Sequence, residues 1–251
     1  MKKLLTIGVF LSFIRICTGQ ISPNETLIFD GSYELSGMMT NIAQVTMQTS
    51  VMKTTSKSYL HLSAEVATFN KWDSFFKIRD LYESYVDPGT LKPSLYKRNV
   101  YEGGYTKTEK YSYNPAGNSI KSESKRKNNP VVKNTVSIQP GAVDVITLIY
   151  KLRSANLSGL KAGQSIPYII VFDEKQLRVN LKMLGKEIVS AGNLGKRECY
   201  KLSISANTNK LKGADKNLIW LTTDSKHIPC LIKFSIPVGV GQLSLLKTAG
   251  I

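Results

Sequence analysis

Apolar and polar residues alternate with a period of two along most of this chain, and that pattern restricts it to β structure. Leu177, Val179, Leu181 and Met183 alternate with Gln176, Arg178, Asn180 and Lys182. Val45, Met47, Thr49 and Val51 alternate with Thr46, Gln48 and Ser50, and Leu60, Leu62, Ala64 and Val66 with His61, Ser63 and Glu65. Successive side chains on a strand point to opposite faces, so each run offers one face to a core and one to water. The same reasoning predicts strands over Thr26–Leu35, Tyr105–Tyr113, Asn118–Lys125, Ile166–Phe172, Glu198–Ala206, Asn217–Thr223, Cys230–Ile236 and Gln242–Leu246. Turn sequences punctuate them: Asn114-Pro115-Ala116-Gly117, Asp173-Glu174-Lys175, Leu184-Gly185-Lys186 and Asp224-Ser225-Lys226. Many half-buried strands on short turns specify a mainly β fold, an antiparallel curled sheet or open barrel-like structure.

Two segments break the alternation and predict helices packed against that sheet. Asp73 to Tyr82 carries Phe75, Ile78 and Tyr82 at helical spacing, with Asp73 or Ser74 placed to cap its start. Ala142 to Ser154 carries Val143, Ile146, Ile149 and Tyr150, with Asp144 in its first turn and Lys151 and Arg153 in its last, charges that complement the helix dipole. Asp87-Pro88-Gly89 reads as a fixed corner after the first helix. There is no internal repeat and no dividing linker, so residues 20–251 are expected to form a single β-rich domain.

The first nineteen residues read as a cleaved export signal. Lys2 and Lys3 precede an apolar run from Leu4 to Ile14, and Cys17-Thr18-Gly19 offers small residues for cleavage after Gly19. Ile16 stands where a lipidated cysteine normally follows a smaller residue, which argues against lipidation at Cys17. Removing Lys2, Lys3 and Arg15 from the net charge of +16 leaves +13. Much of that excess lies between residues 92 and 133, where ten lysines and arginines face only Glu102, Glu109 and Glu123. Such a stretch is either a solvated lysine-rich surface or a face for anionic partners, an anionic membrane surface among them. Export argues against nucleic acid. Cys199 and Cys230 could pair in an exported protein, but alternation aims them at opposite faces of the sheet, so no bridge is expected.

Catalytic signatures are missing. His61 and His227 are the only histidines, and no His-x-x-x-His or Cys-x-x-Cys spacing is present, so neither a metal nor a cofactor is predicted. Asp224-Ser225-Lys226-His227 contains the letters of a hydrolytic triad, but neighbours in one turn cannot form the relay. Glu102-Gly103-Gly104 reads as a strand-joining turn, not a phosphate cradle.

The order of several blocks resembles a known family. Phe76-Lys77-Ile78-Arg79-Asp80, Tyr85-Val86-Asp87-Pro88, Leu91-Lys92-Pro93, Asp144 to Arg153, Ile219 to Asp224, Ile228-Pro229 and Pro237-Val238-Gly239 are together similar to domain of unknown function 3108. The resemblance implies an exported protein of a Gram-negative, Bacteroides-like bacterium, at the periplasm or outer-membrane periphery. It implies no reaction and supplies no catalytic residues. Cys230, beside Pro229 where the family suggests an aliphatic residue, is expected to be a buried free thiol.

Three functions remain open. A binding protein would hold a lipid or other amphipathic molecule in a barrel-like cavity. Tyr150 and Trp220 would then give apolar contact and Arg153 would meet an anion, with methionines and tyrosines such as Met38, Met39, Met47, Tyr59, Tyr105 and Tyr113 as further lining. A structural or assembly protein of the cell envelope would engage protein or acidic glycan. An enzyme without a familiar motif would use carboxylates such as Asp87, Asp144 and Asp224. Tyr150, Arg153, Trp220 and Asp224 also suit a purely structural contact between helix and sheet.

Overall fold

In the computed structural model the protein is one antiparallel sheet wrapped around one helix. The structure describes residues 21–114, 116, 118–207, 216–236 and 239–251. The export-signal reading of residues 1–19, and Pro115 and Gly117 of one predicted turn, fall outside them. The strands are β1 Thr26–Leu35, β2 Met38–Lys53, β3 Ser58–Thr68, β4 Arg79–Val86, β5 Pro93–Glu102, β6 Tyr105–Asn114, β7 Ser119–Arg126, β8 Val132–Ser137, β9 Ser165–Phe172, β10 Lys175–Ser190, β11 Lys196–Ala206, β12 Leu218–Thr222, β13 Pro229–Ile236 and β14 Gly239–Ala249. Helix α1 spans Asn70–Phe76 and α2 Val145–Arg153.

The sheet order is β8-β7-β6-β5-β4-β3-β2-β1-β14-β13-β12-β11-β10-β9. Every neighbour is consecutive in sequence except β1 and β14, so two meanders meet along that one long-range ladder. The chain passes from one sheet edge, β8, to the other, β9, through α2. Curling brings those edges together without a strand ladder. Asn134 on β8 donates to Glu174 at 2.8 Å, and Gln176 donates to the Ser137 carbonyl at 3.2 Å. Val143 just before α2 forms a parallel bridge with Ile170, covering part of the β9 edge.

Helix α2 lies in the trough. Asp144 caps it by accepting from the Thr147 amide at 2.8 Å, while its second carboxylate oxygen accepts from Ser84 on β4. Ile146 and Tyr150 join Leu27, Phe29, Val45, Met47 and Leu62 in one apolar cluster. Leu148 and Leu152 join Val179, Leu181, Met183, Leu202 and Leu221 in another. Each such buried aliphatic side chain contributes about 1.5–3 kcal/mol, and the helix must pack to hold them because nine residues are too few to stand alone.

Four expectations need correction. The helix predicted over Asp73–Tyr82 is α1, ending at Phe76, followed by strand β4. Ile78 bridges to Glu102, and the inward residues of β4 include the polar Asp80 and Ser84, which hid its alternation. The Asp87-Pro88-Gly89 corner therefore follows a strand, not a helix. Leu184-Gly185-Lys186 is a register shift inside β10 rather than a turn, with Gly185 at φ 139° absorbing the irregularity. Cys199 and Cys230 do not face apart. Both are free and buried in one apolar cluster, their thiols donating to the Arg197 and Ile228 carbonyls at 3.7 and 3.4 Å, and a bulge at Trp220/Leu221 leaves Cys230 out of the strand register.

Candidate functional site

A mainly apolar cleft of about 530 Å³ lies between α1 and the inner face of β1, β2, β3, β13 and β14. Its floor includes Ala43, Val45, Val66 and Leu243, its walls Tyr33 and Phe234, and its roof Trp72, Phe75 and Phe76. That volume lies within the range of small-molecule sites. Phe234 lies across Gly241, where an added Cβ would sit 2.4 Å from its ring, so the glycine lets this aromatic wall lie flat.

Polar contacts at its margins hold the roof. Asp73 accepts from Thr68 at 2.6 Å and receives both terminal nitrogens of Arg79, at 3.0 and 2.6 Å. The Arg79 bonds, then that from Thr68, hold the Asp73 carboxyl below its ordinary pKa. This clamp ties the end of β3 to the start of β4 across α1. The Trp72 indole donates to the Asn41 carbonyl at 3.1 Å, anchoring the helix to β2. None of α1's residues is buried, and Phe75 and Phe76 remain 77% and 48% exposed. Seven residues with a tethered rim and uncovered aromatics form a lid over apolar space.

One charged residue lines the cleft, Glu102 at the end of β5. Asp80 lies two residues beyond the lining residue Ile78 on β4, largely buried, and accepts from the Tyr101 amide at 3.0 Å. Burial first, then contact with the Glu102 carboxyl, pushes Asp80 up to about 7.

The three residues singled out for ligand contact do not gather at this cleft. Arg153 is fully buried, its terminal nitrogens on Glu25 at 2.5 and 2.8 Å and its Nε on the Lys226 carbonyl at 3.1 Å. Tyr150 is buried in the core, and its hydroxyl has no hydrogen-bond partner among the described residues. Trp220 is buried, donates to Glu187 at 3.0 Å, lies beneath Lys201 and Lys233, and belongs to the same apolar cluster as Ile146 and Tyr150 of α2. A shallower polar pocket of about 360 Å³ lies near the end of α2, between residues 154–158 and 223–227. In its wall, Asp224 is engaged by Thr222 and the Lys226 amide.

The basic stretch divides by strand face. Lys92, Lys121, Lys125, Arg126, Lys127 and Lys133 are exposed. Arg98 and Lys107 point inward, where both pair with Glu109 and with Asp173 of the β9–β10 turn. Sequence reasoning missed the lid aromatics and the Asp80–Glu102 pair. The crowding of Trp72, Phe75 and Phe76 into one short polar segment was the available signal. The methionines and tyrosines named as lining contribute none of the cleft's surface.

The sequence profile of the family described as Protein of unknown function (DUF3108) matches residues 32–245. No curated protein matches the chain. Among solved structures, a beta-barrel-like protein of domain of unknown function DUF1849 from Brucella abortus is similar at a TM-score of 0.59 and 9% identity, over 91% of this chain and 98% of that one. That likeness concerns the fold. A candidate exported protein with a YmcC-like fold from Bacteroides fragilis aligns over 90% of this chain and 96% of its own at 8% identity, with a TM-score of 0.31.

Proposed function

The chain belongs to the family Protein of unknown function (DUF3108), and from that premise we propose that it is an exported envelope protein that binds a lipid-like amphipathic molecule in the cleft beneath α1. The observation that carries the reading is an apolar space of about 530 Å³ roofed by a short helix whose aromatic side chains the fold leaves uncovered. An apolar occupant would cover Phe75 and Phe76 and remove their surface from water, at about 25 cal/mol per Å². The Lys2-Lys3 start and the apolar run to Ile14 support export. The exposed lysines between residues 92 and 133 suit an anionic membrane surface.

Native mass spectrometry of the protein purified from its host envelope, with analysis of the organic extract, tests the reading. A stoichiometric adduct of lipid mass is expected in the wild type. It should be lost when Phe75→Asp and Phe76→Asp are combined, since both side chains are largely outside the core and the fold should persist by circular dichroism. A bare wild-type mass with an empty extract would overturn the proposal in favour of an envelope assembly role.

A further inference from the structure

The charge in the cleft wall points to the head group of the occupant, an inference that rests on the binding role just proposed. We propose that the cleft selects amphipaths whose head group is cationic and donates hydrogen bonds, an ammonium seated against Glu102, and discriminates against carboxylates and phosphates.

Three observations converge on this choice. Glu102 is the single charged side chain among the residues lining an otherwise apolar cleft, so its carboxylate sets the sign of the field inside. Among the described residues, the guanidinium groups nearest the cleft are already paired with carboxylates, and the nearest lysine side chain turns to an aromatic ring. Arg79 is held by Asp73 and Thr68, Lys77 lies over the Tyr101 ring, and Arg98 is paired with Glu109 and Asp173 and stacked on Phe172. A carboxylate entering the cleft would meet Glu102, and neither Arg79 nor Arg98 is free to receive it.

The third observation is the second carboxyl. Asp80, largely buried, accepts from the Tyr101 amide at 3.0 Å, which sets it beside Glu102, and burial and then Glu102 raise it to about 7. The groups facing it are Tyr82 on its own strand and Arg98 on β5, with Asp173 behind Arg98. Arg98 lowers the Asp80 value, but less than burial and Glu102 raise it. An ammonium can replace the retained proton as the counter-charge of the pair. Binding of a cation therefore releases protons, and it weakens as the pH falls through about 7 and Asp80 becomes neutral.

Displacement of the neutral fluorophore N-phenyl-1-naphthylamine by three probes of equal chain length tests this. The probes are dodecylammonium, 1-dodecanol and dodecanoate, each below its micelle concentration. At pH 8 dodecylammonium should displace the fluorophore at about tenfold lower concentration than dodecanoate, with dodecanol between them. That preference should narrow at pH 6, and Glu102→Gln should bring the three probes within about threefold of one another. Should dodecanol compete while dodecanoate matches or beats dodecylammonium, the charge assignment is overturned and the cleft stands. Should neither the fluorophore nor any probe bind, the binding role fails, and the head-group assignment with it.

Discussion

At Arg153 the guanidinium joins three parts of the chain: the residue before β1, the last turn of α2, and the β12–β13 turn. Its terminal nitrogens meet both oxygens of Glu25, Nε donates to the Lys226 carbonyl, and its own carbonyl meets His227 Nδ1 at 2.8 Å. Both charges are out of water, so removing one partner leaves the other buried and unpaired. Arg153→Ala should cost about 3–5 kcal/mol, seen as a fall in the thermal midpoint of about 6–20 °C by circular dichroism. Replacing Arg153 by Met together with Glu25 by Leu should recover much of that loss, because no charge is then stranded. A fall of only a degree or two in Arg153→Ala would show that the pair is hydrated in solution. The sequence marks Arg153 as a helix-ending cation, which it is. Its partner Glu25 lies 128 residues away, a separation that no local period can report. The thiols teach the same lesson: alternation assigns Cys230 a face, and one bulged residue cancels the assignment.

At the scale of elements, strands with a clear apolar alternation were readable, while β4, β5 and β8 were not. Thr26–Leu35 coincides with β1, since its inward residues include Leu27 and Phe29. In β4 and β5 the inward set includes Asp80, Ser84 and Arg98, inverting the expected pattern, and β8 is an edge strand with little burial at all. α1 was sensed but misplaced, because aromatics at helical spacing ran on into β4. Its seating depends on the Gly103-Gly104 turn between β5 and β6. At Gly103, φ is 53° and an added Cβ would lie 2.4 Å from the Phe76 ring; at Gly104, φ is 85° and nothing lies within 4 Å. Each alanine substitution should therefore cost a similar left-handed backbone penalty of about 1–2 kcal/mol. Only Gly103→Ala should also displace Phe76 and weaken N-phenyl-1-naphthylamine binding, by about threefold to tenfold if roughly one kcal/mol of aromatic contact is lost. Equal binding by the two variants would remove Phe76 from the lid.

For the whole molecule, the two edge strands β8 and β9 are not joined by a ladder, yet the sheet behaves as a closed body. The meander order follows from short turns between consecutive strands. The β1–β14 ladder and the meeting of the edges do not, since both are set by the curl of the complete sheet. Closure rests on the β9–β10 turn, where Asp173 and Glu174 sit at φ 50° and 60° and reach across to the β5–β8 half. Asp173 pairs with Arg98 at 2.5 Å and Lys107 at 2.8 Å; the Glu174 carboxylate accepts from Ser122 at 2.6 Å, and the Glu174 amide donates to the Tyr111 hydroxyl at 3.0 Å. These contacts are largely sheltered, so salt should weaken them little. Asp173→Asn preserves a residue that tolerates the left-handed turn and takes away only its charge. Arg98 and Lys107 then keep only their ion pairs with Glu109, which leaves two cations on one buried carboxylate. Because the tie is made by side chains and not by a strand ladder, its loss should open the seam locally. Hydrogen exchange should rise by about tenfold or more, one to two kcal/mol of local opening, in β5–β8 and β9–β10, while β1–β3 and α2 keep their protection. A uniform rise across the sheet would mean that the seam and the core unfold as one unit, and that the two meanders are not separable in the way their topology implies.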